Sequence, residues 1–499
     1  VDDGRSPESH SDTGGHSRNG GARASGLPDD LQTQPINRPK RVMGLRDVVF
    51  FYVVTGLSLQ WVATAATAGA SAMVMWVVAW LIFFVPLVLA VIELSSRYPQ
   101  EGGLYVWTKQ AFGEFGGFMA GWIYWSSDLP YLPSILYFAA ANALFLGGER
   151  THSLANNSTY FIVFSICGLA LGLILNLIGV DIAKWLYNVG SLGTWVPAVI
   201  LMVVGTLAWW KFGSATPINL HTIRPATGLK DLIFWATIVY ALSGAESASF
   251  MGDEIRDPRK TIPRGLLTAG VVITICYLIG TLCVLLALPK EQVTGLEGIM
   301  QAIVQSTSRI GWDGLIPVAA FLLVLSSLGS VAAWLAAMSR IPFVVGIDRF
   351  LPPVFARLHP RWGTPYVPLL IQAVFAAIFI FLGQAGTSVR GAYDVLLSMT
   401  IIVYFVPYVM VFGALIKLQR EPAGPEVIRV PGGKPVAIFV GIVGMITSVL
   451  TIVFSAFPPA EEAHKGLALL KEVVLVGLLV ALGAAIFFFG RRAARRASV

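Results

Sequence analysis

Charge is what this chain has least of. Only 13% of its 499 residues are Asp, Glu, Lys or Arg, while 56% are hydrophobic, and the mean hydropathy is +0.72. A soluble domain carries about 25% charged residues, so most of this chain belongs in lipid. Cysteine is scarce as well. The three present, Cys167, Cys276 and Cys283, all fall inside apolar runs, which argues against a disulfide framework and makes them packing residues. The six histidines, His10, His16, His152, His221, His359 and His464, lie in tails or loops. With no His/Cys cluster and no nucleophile–base pair inside a span, an intramembrane enzyme or metal centre is disfavoured, and no cofactor is expected. Residues 1–40 have almost no aliphatic periodicity and lack the apolar core of a signal peptide; they read as a disordered tail. The net charge of +7 does not point to nucleic acid, because the basic residues gather in short loops on one side.

What the chain has is apolar length. Runs of ~20 residues, each enough to cross ~30 Å of hydrocarbon, recur about twelve times. They cover roughly 47–70, 72–95, 116–146, 159–179, 184–210, 231–252, 265–289, 315–341, 366–384, 392–416, 435–457 and 467–490. The expected fold is an all-α membrane protein of twelve transmembrane helices, multi-pass in the cell membrane. Twelve spans place both termini on one side. With that side cytoplasmic, 23 Lys and Arg fall inside and nine outside, as positive-inside topology requires. The domains are then a tail at 1–40, a core at 41–420, two further helices within 435–490 and a basic tail at 491–499.

Two spans are interrupted by polar and small residues. The first reads Thr55-Gly-Leu-Ser-Leu-Gln-Trp-Val-Ala-Thr64, and the sixth reads Tyr240-Ala-Leu-Ser-Gly-Ala-Glu-Ser-Ala-Ser249. An ionisable side chain such as Glu246 at that depth costs roughly 2.5–3.5 kcal/mol on insertion scales, which by default marks a substrate or ion pathway. Gly244 and the serines around it allow the helix to unwind and to offer backbone groups to a ligand. Breaks five spans apart, with an odd number of spans per unit, suggest two inverted five-helix repeats, about 47–210 and 231–416, with the ligand between them. This repeat rests on hydropathy, since the halves share no visible identity. A second buried acid, Asp128, lies ~18 Å along the third span. Two acids and no intramembrane base suit a cationic solute group.

Four blocks carry a resemblance to a known family. They are Ile92-Glu-Leu-Ser-Ser-Arg-Tyr-Pro-Gln-Glu-Gly-Gly-Leu-Tyr105 with Ala111-Phe-Gly113; the sixth-span motif with its exit Glu254-Ile-Arg-Asp-Pro-Arg-Lys-Thr-Ile-Pro263; Ser327-Leu-Gly-Ser-Val-Ala-Ala-Trp334 with Asp348-Arg-Phe-Leu-Pro-Pro353; and Gly363-Thr-Pro-Tyr-Val-Pro368. In combination the chain resembles the amino acid–polyamine–organocation (APC) permeases, which have the LeuT-like inverted-repeat fold. The resemblance implies a secondary active transporter for amino acids or related amines, coupled to protons or exchanging one amine for another, with a polyamine importer as the alternative. Partners would be a small-molecule substrate, protons and the bilayer, with no nucleic acid.

Residue by residue, Gly244-Ala-Glu246 matches the Gly-x-Glu triplet whose acid is implicated in proton response, so Glu246 is either a proton site or a structural carboxylate on unwound backbone. Asp128 is either a structural acid, its proton shared with a backbone carbonyl, or a counter-ion for an amine. Tyr240 and Trp334 match gating aromatics, with Ala241, Ser243 and Gly244 beside them. Where relatives often carry Gly-Ser-Gly in the first span, this chain has Gln60, Trp61 and Val62, so recognition there would fall to Ser58, Gln60 and Trp61. A sodium cage would draw on Ser326, Ser327 and Ser330 with Thr64 and Thr67, and is the less favoured coupling. No metal ligand set is expected.

Overall fold

The computed structural model describes residues 41–225, 229–347, 350–384, 388–455 and 477–492. The expected tail at 1–40 and the end of the basic tail from 493 lie outside the described residues. What is described is helical, with only one isolated parallel bridge, Met43 to Ile255, in place of any strand. A chain this apolar must satisfy its backbone within each segment, and helices do that.

The helices run in order as α1 (Leu45–Gly56), α2 (Leu59–Ala66), α3 (Gly69–Arg97), α4 (Leu104–Ala143), α5 (Ser158–Ile178), α6 (Val180–Phe212) and α7 (Leu229–Ala241). A 3-10 segment (Ser247–Glu254) follows, then α8 (Pro258–Ala287), α9 (Gly298–Ile310), α10 (Leu315–Ile347), α11 (Tyr366–Gln384), α12 (Val389–Leu418), α13 (Gly433–Ser455) and α14 (477–492). Among the described residues ten segments are long and apolar enough to cross a membrane, the first of them being α1 and α2 together. The expected sixth span is not one of the ten because its helix stops at Ala241. The expected twelfth begins outside the described residues, and only its second half, α14, is seen.

Local chemistry explains several departures from straight helices. The third expected span begins twelve residues early, because α4 absorbs the preceding loop helix across a kink at Gly113, where φ is 81°. In α3 the stretch Trp80–Phe84 is a π segment. Pro86, two residues beyond it, has no N–H to offer the Ile82 carbonyl, and the Thr447 hydroxyl of α13 donates to that carbonyl at 3.2 Å instead. Helices α4, α6, α10 and α12 pack on one another or on their neighbours through long faces. The α6–α10 crossing is glycine against glycine: a Cβ on Gly190 would lie 2.8 Å from Gly329 Cα. That close approach is the usual way to pack helices where water gives no hydrophobic drive.

Candidate functional site at two facing helix breaks

Helix α1 stops at Gly56, and Leu57 and Ser58 are extended before α2 restarts at Leu59. The groups freed there have a partner. Tyr277 of α8 donates its hydroxyl to the Gly56 carbonyl at 3.0 Å and accepts from the Ser58 N–H at 3.3 Å. Its ring stacks on Trp76, centroids 4.6 Å apart, and Trp76 Nε1 donates to Thr281. The second break follows Ala241. Leu242 to Glu246 form a turn through Gly244, whose φ of 94° disfavours any side chain, before the 3-10 segment begins. Gly244 N–H donates to the Tyr408 hydroxyl at 3.1 Å.

The two breaks meet. A Cβ on Gly244 would stand 3.6 Å from both Gly56 Cα and the Thr55 carbonyl, and the hydroxyls of Thr55 and Ser247 are 2.8 Å apart. Beyond this contact Glu246 is 1% exposed and enclosed by tyrosines. Tyr124 and Tyr404 donate to its Oε1, the latter at 3.1 Å, and Tyr408 donates to Oε2 at 2.8 Å. Three hydroxyls from α4 and α12 therefore hold one carboxyl from the unwound segment.

Against the breaks stands a closed aromatic ring. Tyr240 meets Tyr131 at 6.2 Å, Tyr131 meets Trp334 at 5.9 Å, Trp334 meets Tyr404 at 6.4 Å, and Tyr404 returns to Tyr240 at 5.3 Å. All four contacts are edge-on, and Trp61 joins from α2 at 5.1 Å from Tyr240. Trp334 also packs on the second break, 3.8 Å from a Gly244 Cβ, with its indole N–H unpartnered.

The remaining expected residues divide between this centre and its wall. Ala241 is buried at the end of α7, and the Ser243 hydroxyl turns back to the Tyr240 carbonyl at 2.6 Å. Gln60 is fully buried; its Oε1 accepts from Tyr393 at 3.3 Å and its Nε2 has no partner. Asp128, one turn before Tyr131 on α4, does not pair with a backbone carbonyl. Gln372 of α11 donates to its Oδ2 at 2.6 Å, while Asp128 Oδ1 and Gln372 Oε1 are both unpartnered. Four of the five hydroxyls offered for a sodium cage have hydrogen-bond partners within the protein. Ser326 pairs with Thr194, Ser327 donates to Leu323, and Thr64 and Thr67 bond within their own chain turn.

Sequence reasoning missed Tyr124, Tyr404, Tyr408, Tyr277, Tyr131 and Gln372. A signal existed for two of them: Tyr404 and Tyr408 stand at i, i+4 in an apolar run, hence on one helix face, and a tyrosine hydroxyl buried in lipid needs a partner.

The facing breaks bring together the uncapped start of α2, aromatic faces and the Glu246 carboxyl. A family model described as amino acid permease matches residues 43–479. The chain belongs to the amino acid permease family. An uncharacterized transporter of Legionella pneumophila is 26% identical over 454 residues, covering 89% of this chain and 96% of that protein. A probable agmatine/putrescine antiporter of Lactococcus lactis is 23% identical, covering 79% of this chain and 84% of its own length. A glutamate/gamma-aminobutyrate antiporter of the same species is 23% identical, covering 80% of each chain. Family and relatives are membrane transporters, so this permease is a multi-pass membrane protein of that kind and not an enzyme at the level of family.

Proposed function

We propose that this permease is a secondary active transporter for amino acids or related organic amines, working by alternating access and coupled to protons. The observation that carries this reading is the meeting of two helix breaks at Gly56 and Gly244 beside a carboxyl held by three tyrosine hydroxyls. In this reading the uncapped N-terminus of α2 receives the substrate carboxylate, since Ser58 makes no side-chain cap there and helix N-termini favour anions. The Gly244 amide is already taken by Tyr408, which leaves α2 as the better carboxylate site. The aromatic ring receives the ammonium group through cation–π attraction, worth ~0.5–2 kcal/mol. Residues 47–210 and 231–416 would form the two inverted repeats of a twelve-helix fold, with both termini cytoplasmic.

Glu246 is the proton carrier in this scheme. Loss of its tyrosine donors as the breaks move would change its affinity for a proton. One proton crossing ~150 mV contributes ~3.5 kcal/mol, and a pH unit adds ~1.4 kcal/mol, enough to concentrate a solute. The test is uptake in liposomes with Glu246→Gln. The pH dependence of uptake should vanish while substrate binding stays measurable; an unchanged pH profile removes Glu246 from coupling.

A polyamine substrate is the second reading, and one observation favours it. Asp128 Oδ1 and Gln372 Oε1 are two buried acceptors without donors, as a second ammonium would require. Competition of labelled amino acid uptake by putrescine or spermidine separates the two.

A further inference from the structure

At the end of the bundle that carries Met43 and Ile255, three ionisable side chains are shut away from solvent together. Arg340 on α10 is 1% exposed, Glu254 at the end of the 3-10 segment 3%, and Glu101 in the turn before α4 6%. Arg340 spends its donors on Glu254 and on its own helix. Nε and Nη2 donate to Glu254 Oε1 at 3.0 and 2.5 Å, and Nη1 donates to the Ala336 carbonyl and the Ser339 hydroxyl. Glu101 Oε1 stands 3.9 Å from Nε, beyond hydrogen-bond reach. That atom, like Glu254 Oε2, has no hydrogen-bond partner.

One guanidinium neutralises one carboxylate. A second ionised carboxylate in the same dry cluster, with an oxygen that accepts nothing, is strongly unfavourable. We propose that Glu101 is a proton-binding site, its carboxyl protonated in this closed state and losing the proton to solvent when this end of the bundle opens. Among the described residues, the charged groups that face Glu101 are Glu254 and Asp253 from the 3-10 segment and Arg340 from α10, with Asp181 and Tyr187 of α6 acting on the Glu254–Arg340 pair. Burial first, and then the neighbouring Glu254 carboxylate, hold the Glu101 carboxyl well above the usual carboxylate range, against the opposing pull of Arg340.

The cluster is also where the separate parts are stitched together. Val42 and Met43 donate backbone N–H groups to the Glu254 carbonyl at 2.9 and 3.0 Å, and Arg256 N–H returns to the Met43 carbonyl at 2.9 Å. Gly102 N–H reaches the Phe250 carbonyl at 3.4 Å. The entry to α1, the exit of the sixth segment and the turn before α4 are thus gathered around Arg340, and opening here must wet Glu101. With a raised closed-state value and an ordinary open-state one, protonation favours the closed form. That preference is complete below the ordinary carboxylate range and is lost as pH rises through the raised value. Between the two, opening grows about tenfold per pH unit. The role as a gate rests on the alternating-access reading; the proton itself does not, and Glu246 is a separate site.

The test uses the full chain in liposomes. In infrared difference spectra at neutral pH, wild type against Glu101→Gln should lose one protonated-carboxyl C=O band and no carboxylate band, and Glu246→Gln should leave that band in place. A lost carboxylate band instead overturns the proposal. Should Glu101→Gln not fold, Glu101→Asp must shift the same C=O band, and an unshifted band is equally fatal. The gate is read separately, by alkylation of a Ser249→Cys variant. Its rate should climb about tenfold per pH unit, beyond the thiol's own titration, in wild-type background, and should be flat with Glu101→Gln. Equal slopes in the two backgrounds overturn the gating role, whereas a failed uptake assay leaves the infrared result intact.

Discussion

At the scale of single residues, Tyr408 does two jobs that its neighbour Tyr404 does not. It supplies the hydrogen bond to Glu246 Oε2 and accepts the amide of Gly244. Tyr404 shares Glu246 Oε1 with Tyr124, so its removal leaves that oxygen with a donor. Tyr408→Phe should therefore orphan two buried groups, each costing ~1–3 kcal/mol, and lower thermal stability more than Tyr404→Phe does. Equal melting temperatures for the two variants would contradict this division of labour. Glu246 was legible in the sequence because a carboxyl in an apolar run is conspicuous. Its tyrosine partners were not, because a tyrosine in lipid is ordinary until its hydroxyl is located. The same limit applied to Asp128. The acid stood out, but Gln372, 244 positions further on, could be assigned to it only by the packing of α11 on α4.

At the scale of elements, both helix breaks fall where small and polar residues interrupt the apolar pattern, and they are stabilised from outside. Tyr277 of α8 bridges the first and Tyr408 of α12 closes the second. Sequence periodicity locates such breaks but does not reveal which neighbour satisfies them. The π segment of α3 shows this too, since the Ile82 carbonyl that Pro86 cannot serve accepts from Thr447 of α13. Helices α6 and α10 form the frame that positions Trp334. A side chain on Gly193 would begin 2.5 Å from the Leu322 carbonyl and 2.9 Å from the Ser326 nitrogen, and backbone cannot yield as a side chain can. Gly193→Val should force α6 off α10, costing ~1–3 kcal/mol or more, and should weaken substrate binding at a distance through Trp334. Wild-type melting and affinity in this variant would mean the crossing is not a rigid frame.

For the molecule as a whole, hydropathy was enough to place most of the described spans, because lipid imposes length and internal hydrogen bonding on every segment. It missed the early starts of α4 and α8 and the stop of the sixth helix at Ala241, and the start of the twelfth span lies outside the described residues. It was not enough to rank substrates, since that depends on which polar groups the packed bundle leaves free. Those groups now divide into two sets. The uncapped start of α2 and the unpartnered Gln60 Nε2 and Trp334 Nε1 are donors, suited to a carboxylate. The unpartnered Asp128 Oδ1 and Gln372 Oε1 are acceptors, suited to an ammonium. A zwitterionic amino acid meets the donors with its carboxylate and the aromatic ring with its ammonium, whereas its decarboxylated amine leaves the donors empty, and buried donors without partners are costly. Amino acids should therefore raise the melting temperature of the purified permease more than the matching amines at equal concentration. A ligand at a hundred times its Kd adds ~2.7 kcal/mol to apparent stability, well within reach of a thermal-shift screen. A larger shift with putrescine or agmatine than with any amino acid would transfer the assignment to the polyamine reading, with Asp128 and Gln372 as its anchor.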